Sequence, residues 1–120
     1  MTDAENWLAQ MRRGTLELAI LNVLAREPRH GYGLARRLAG GPGLAIGEGT
    51  VYPILNRLRE NRLISSRLVA STEGPARRVY SLTAAGERQR RDMNERWAAL
   101  AGSLDRVIRE AAGVRPGDER

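Results

Sequence analysis

The stretch Thr50–Ile64, TVYPILNRLRENRLI, constrains the fold most, because it sets Val51, Ile54, Leu55 and Leu58 on one helical face and then abruptly loses its helical period. Apolar residues at i, i+3, i+4 and i+7 predict an amphipathic helix with a single buried stripe. The opposite face carries Gly49, Pro53, Asn56 and Glu60, flanked by Tyr52 and Arg57. Pro53 is expected near the N-terminal turn, where a missing N–H costs little. Beyond Leu63, ISSRLVA and RRVYSL read as two short strands around STEGPA, with Gly74 and Pro75 supplying the turn. Ile64, Leu68, Val79 and Leu82 are the apolar contacts expected of this hairpin.

Upstream, HGYGLARRLAG offers Tyr32, Leu34, Ala35 and Leu38 as one face of a two-turn helix closed by Gly40 and Gly41, and a glycine-rich loop follows. Two short helices joined by a turn, the second amphipathic, are the helix-turn-helix pattern, and a hairpin directly behind them is a wing. The expected class is therefore mainly α with a small β-hairpin: a winged helix-turn-helix plus a C-terminal dimerisation helix.

The outer helices make the case for a dimer. TLELAILNVLA, residues 15–25, is apolar around most of its circumference, so it needs burial on more than one side. Another element or a second subunit supplies the extra side, and Leu16 and Ile20 are expected at a dimer interface. Helical spacing of Ala4, Trp7, Leu8 and Met11 extends this helix upstream through Gly14, and Pro28 ends it. Thr83 is placed as the N-cap of a final charged helix running to about Ala112, with Glu87 in its first turns. Along it Met93, Trp97, Leu100, Leu104, Val107 and Ala111 recur at spacings of 4, 3, 4, 3 and 4, a heptad seam. Left in water such a seam is an exposed apolar stripe, and a second copy of the chain is the simplest cover. The expected organisation is residues 1–82 as the DNA-binding domain, 83–112 as the dimerisation helix and 113–120 as a flexible tail.

A chain of 120 residues is one ordinary domain by length. All 20 basic residues are arginine, and against 14 acidic ones they leave a net charge of +6, which suits a polyanionic partner. Arginine's planar fork contacts phosphate and reads guanine edges, although codon bias in a GC-rich genome produces the same preference over lysine. With one histidine and no cysteine, the chain calls for no metal, no cofactor and no catalytic group, and its glycine clusters lack the lysine and hydroxyl of a P-loop. It is not expected to be an enzyme. Neither a secretory leader nor a run of eighteen apolar residues is present, so a cytoplasmic location without a membrane partner is expected.

An α-helix fits the major groove with its N-terminal side chains at base edges. That makes Thr50, Tyr52, Pro53, Asn56 and Arg57 the candidates for contacting a double-stranded DNA operator: Asn56 to pair with adenine, Arg57 with guanine or phosphate, Tyr52 with the backbone. His30 and Tyr32 precede the second helix, whose N-terminus suits a phosphate, though Tyr32 fits a core position equally well. Arg77 and Arg78 alternate sides of a strand, so one of them is expected to face DNA, unless both serve to charge an exposed strand edge. Trp97 on the seam either packs the dimer or, with Met93 and Trp7, takes up a flat aromatic or apolar small molecule.

The segments RGTLELAILNVL, HGYGLARRL, GTVYPILNRLRENRLI and RRVYSLTAAG, taken together, closely resemble the PadR family of transcriptional regulators, from about Arg13 through the final helix. The single short C-terminal helix is similar to the smaller of the family's two size classes. The resemblance implies a dimeric winged-helix repressor that leaves its operator when an effector binds, and multidrug-responsive members look similar in carrying a tryptophan at the place of Trp97. One departure stands out: where the family usually has Ser-Pro, this chain has Gly47-Glu48, a weaker N-cap with a negative charge beside it. Outside that family, the same residues admit a winged-helix protein-interaction adaptor without specific DNA binding, or a general nucleoid binder.

Overall fold

The computed structural model describes residues 2–39 and 48–113. In chain order the elements are α1 (Asp3–Leu24), β1 (Arg29–His30), α2 (Gly31–Leu38), α3 (Glu48–Glu60), β2 (Ile64–Val69), β3 (Arg77–Leu82) and α4 (Ala84–Ala111). They divide into two units, one ending at Arg90 and one starting at Arg91, with α4 continuous across the division.

The first unit is a winged helix-turn-helix. Its core is made by the stripe of α3 (Val51, Ile54, Leu55, Leu58) against Leu16, Ile20, Leu21 and Leu24 of α1 and Leu34 and Leu38 of α2, with Ile64 and Tyr80 from the sheet. The α3 stripe is the expected one, at most 8% exposed. Leu16 and Ile20 correct an expectation. Both are fully buried within the unit, so they have no surface left for a second subunit, and the flanks that α1 leaves half-exposed are Leu18, Ala19 and Val23. The extra buried side of this helix is met by α2, α3 and β3 of the same chain.

The hairpin is larger than expected. The strands order as β1-β3-β2, all antiparallel, with Arg29 opposite Tyr80 and Ile64 opposite Leu82. Two residues are too few to show a strand period, which is why β1 is invisible in the sequence. Leu68 does not join the core. It lies opposite Arg78 toward the hairpin tip and is largely exposed, while Tyr80, two pairs closer to the helices, is buried in its stead.

Caps and close contacts set the ends. Thr2 and Glu5 form a capping box on α1, Oγ1 of Thr2 accepting from the Glu5 N–H at 3.1 Å and Oε2 of Glu5 accepting from the Thr2 N–H at 2.9 Å. After α3, Arg62 adopts φ 62° and the N–H of Leu63 donates to the carbonyl of Leu58, a Schellman closure made without the usual glycine. Thr83 caps α4 as expected: Oγ1 accepts from the Gly86 N–H at 2.9 Å, while the Thr83 N–H donates to the carbonyl of Leu63 at 3.1 Å. Gly86 is buried there because a Cβ would stand 1.9 Å from the Leu63 carbonyl oxygen.

Pro53 sits further inside its helix than expected. With α3 starting at Glu48 it lies in the second turn, where it has no N–H to give to the carbonyl of Gly49. The expected closure of α2 by Gly40 and Gly41, the N-cap at Gly47 and the tail from Val114 onward lie outside the described residues.

In the second unit, α4 carries (i, i+4) ion pairs, Asp92 with Arg96 at 3.0 Å and Asp105 with Arg109 at 3.2 Å. Its seam is open: exposure runs from 43% at Trp97 to 59% at Val107, and Ile108, which the heptad spacing does not include, widens the stripe. Met93 is half-buried and Ala111 exposed. Among the described residues, no helix is long and apolar enough to cross a membrane.

Candidate nucleic-acid interface

The geometry starts from Tyr52. At 260° around α3 from Pro53, counting 100° per residue, it leaves the helix on the side opposite Arg57. Its ring lies directly over Gly31, where a Cβ would come within 2.5 Å of Cε1. Glycine at 31 therefore lets the recognition helix and the first turn of α2 approach through an aromatic side chain that is still exposed at its outer edge.

Around this contact lies an open hollow of about 270 Å³ lined by His30, Gly31, Tyr32, Tyr52, Arg77, Arg78 and Tyr80. It gathers five of the candidate DNA-contacting residues, His30, Tyr32, Tyr52, Arg77 and Arg78, from positions 48 residues apart at the extremes. Arg77 and Arg78 leave β3 on opposite faces, and both border the hollow. Tyr32 is exposed, which decides its position in favour of the rim over the core.

His30 is the N-cap of α2, its Nδ1 accepting from the Gly33 N–H at 3.0 Å. A histidine cap carries no sequence signature, since the preferred caps are Ser, Thr, Asp and Asn. Its ring stacks on Tyr32, with centroids 6.3 Å apart and planes 10° apart, and the guanidinium of Arg36 lies 5.8 Å from the Tyr32 centroid. Arg78 donates to Oγ of Ser66 at 3.0 Å and Arg59 reaches the same oxygen at 3.5 Å. No sequence pattern singles out Arg36, Arg37 and Arg59. Their signal is faint, adjacent arginines on exposed helix ends, and their meaning comes from facing the wing. Burial holds the Tyr80 phenol above its ordinary range, against the opposing pull of Arg78 and Arg59.

Thr50, Pro53 and Asn56 are exposed along the outer strip of α3, outside the hollow. Arg57 is exposed as well but engaged, since its Nη2 donates to the Glu17 carboxylate of α1. Trp7 is exposed on α1 in the first unit, and Trp97 and Met93 belong to the second. Among the described residues no group of three or more His, Asp or Glu could hold a metal ion.

This surface is basic, concave and built on a winged helix, and known proteins share the fold. The model of the Transcriptional regulator PadR-like family matches residues 20–92. Over 80 residues, 66% of this chain and 72% of the other, the sequence is 36% identical to a transcriptional regulator of Mycobacterium tuberculosis. The crystal structure of a PadR family transcriptional regulator from Eggerthella lenta superposes with a TM-score of 0.78 at 30% identity, covering 88% of this chain and 91% of that one. Bacillus subtilis PadR, crystallised with operator DNA, shares the fold at a TM-score of 0.60 and 24% identity, covering 65% of this chain and 45% of that one.

Proposed function

The chain belongs to the Transcriptional regulator PadR-like family, and as the DNA-binding transcriptional regulator this makes it, we propose that it grips an operator through α3 and the hollow beside it. In this reading Thr50, Pro53 and Asn56 face base edges in the major groove. His30, Tyr32, Tyr52, Arg77 and Arg78 hold the flanking backbone, and Arg57 joins them by exchanging the Glu17 carboxylate for phosphate. The observation that carries the reading is the hollow itself, which brings five side chains of the right chemistry from four elements to one rim next to the exposed strip of α3.

The protein acts as a homodimer joined through Met93, Trp97, Leu100, Leu104, Val107, Ile108 and Ala111 of α4. Large apolar side chains left about half exposed along one helical stripe support this, because a second copy buries them symmetrically. It represses a target gene and releases DNA when a flat aromatic or apolar molecule binds at Trp97 and Met93. The exposure of Trp97 supports that part. Residues 1–82 then bind DNA and 83–112 set the spacing of two recognition helices.

Mobility shift on the protein's own upstream region is the test. Wild type gives a shift that weakens steeply with salt, and Arg78→Ala or Asn56→Ala weakens it further, each by about tenfold. Absence of any salt-sensitive shift on that region would refute the operator reading. Fluorescence titration with flat cationic dyes, comparing wild type with Trp97→Ala, tests the effector: an identical response in both leaves Trp97 a packing residue.

A further inference from the structure

His30 and Arg77 meet in a way that neither can satisfy alone. The cap fixes the imidazole: Nδ1 accepts from the Gly33 N–H, and an accepting ring nitrogen carries no proton, so the proton of the neutral ring is on Nε2. Nε2 then stands 3.4 Å from Nη1 of Arg77, a group that only donates. Two N–H donors face each other with no lone pair between them. The ring cannot turn away without losing the α2 cap and its stack on Tyr32.

On one side the two groups share an open concavity of about 490 Å³ that also carries Tyr32 and the arginines 29, 36 and 37, with no acidic side chain among the described residues lining it. On the other they line a hollow of about 380 Å³ with Ser71, Thr72 and Glu73, whose carboxylate makes no ion pair with Arg77. Arg29 reaches Glu27 at 3.1 Å through Nη2, while its Nε is buried without a partner. Converging donors in the basic concavity on the α2 side select a group with several oxygen lone pairs and negative charge, and phosphate offers a separate oxygen to each donor.

We propose that Nε2–H of His30 and the guanidinium of Arg77 form a clamp for one phosphate group, each donating to a different non-bridging oxygen. The proposal rests on the operator reading for the source of that phosphate, a single position of the DNA backbone. The same chemistry admits a soluble phosphate, and the two sources are separable.

His30 is the only histidine in the chain, so a long-range proton–nitrogen spectrum of the imidazole reports this site alone. The free protein shows the Nε2–H tautomer. An Nδ1–H tautomer overturns the clamp whatever DNA does, because Arg77 would then donate to a bare Nε2 and nothing would be missing. Millimolar inorganic phosphate, at ionic strength held constant with chloride, shifts the Nε2–H signal in wild type and not in Arg77→Ala. On a bound duplex, His30→Ser keeps a capping oxygen and removes the donor. His30→Ser and Arg77→Ala each weaken binding by about tenfold. Only Arg77→Ala lowers the slope of log affinity against log salt, by about 0.9, since a neutral ring offsets no phosphate charge. The double variant loses little more than Arg77→Ala, and one methylphosphonate position harms wild type but neither variant. Losses that add independently, in a protein that still binds the duplex, overturn the clamp and leave the operator reading standing. A phosphate-dependent shift without that coupling on DNA assigns the clamp to a soluble phosphate. Failure to bind the duplex at all sinks the operator reading, while the tautomer and the phosphate titration still judge the clamp.

Discussion

Helices α3 and α4 carry the same kind of message and meet different fates. Each sets apolar residues at alternating steps of three and four on one face and polar residues elsewhere. In α3 the face is spent entirely within the chain: Val51 and Leu55 have no exposed surface and Leu58 almost none. In α4 the face from Trp97 to Ile108 stands open. Periodicity thus states that a face requires cover, and says nothing of whether the cover is internal or a second molecule. The neighbouring elements decide. Residues flanking α3 supply a helix pair and a sheet, whereas α4 runs past Arg90 into a unit of its own.

The contrast is broken most directly by truncating one leucine on each helix. Leu55→Ala should destabilise the protein by about 2–5 kcal/mol in urea unfolding, as for a fully enclosed leucine. Leu104→Ala should change the unfolding of the first unit by less than about 0.5 kcal/mol, while shifting the sedimentation equilibrium toward monomer. An equal loss at both positions would mean that the α4 seam is covered within its own chain.

Two glycines sharpen the same comparison. Gly86→Ala drives a Cβ onto the Leu63 carbonyl, a backbone atom that cannot swing aside, and should destabilise by about 1–3 kcal/mol or more. Gly102→Ala meets open space and should stabilise α4 by up to about 1 kcal/mol. Thermal melts of the two variants check the opposite signs, and destabilisation at Gly102 would place a neighbouring helix against it in the assembly.

A smaller effect is expected where α1 touches the flank of α3. Glu17→Gln removes the carboxylate that engages Arg57 and, under the proposed operator contact, should tighten binding by about two- to fivefold at low salt, consistent with an exposed pair. Weaker binding would mean that Glu17 orients Arg57 toward DNA instead. The smallest effect concerns Tyr80. Its phenol holds its proton more firmly folded than unfolded, so its contribution to stability is complete below about pH 10 and is lost as pH rises through the folded value. Tyr80→Phe should remove that alkaline component from the pH dependence of urea unfolding.

Much of the molecule is legible from local pattern alone. The stripe of α3, the Thr83 cap, the hairpin after Leu63 and the open seam of α4 follow from interactions a few residues apart, where helical and extended backbones place side chains at periods of 3.6 and 2. So does the choice of most candidate DNA contacts, because an exposed polar strip on a helix that follows a tight turn is a local property. Other features resist such reading. β1 is too short to have a period, and α1 is apolar on too many sides to declare that Leu16 and Ile20 turn inward while Leu18 and Ala19 stay at the flank.

What the sequence by itself determined is the set of elements, their faces and their ends, since these rest on backbone sterics and hydrogen bonds between near neighbours. Only the tertiary structure decided which distant side chains meet. Arg57 finds Glu17 across 40 residues, and Arg77 finds the capping imidazole of His30 across 47. Those meetings come from the packing of α1, α2 and the sheet on the α3 stripe, and the energy that fixes them is apolar burial, which is indifferent to the polar groups it brings to the rim.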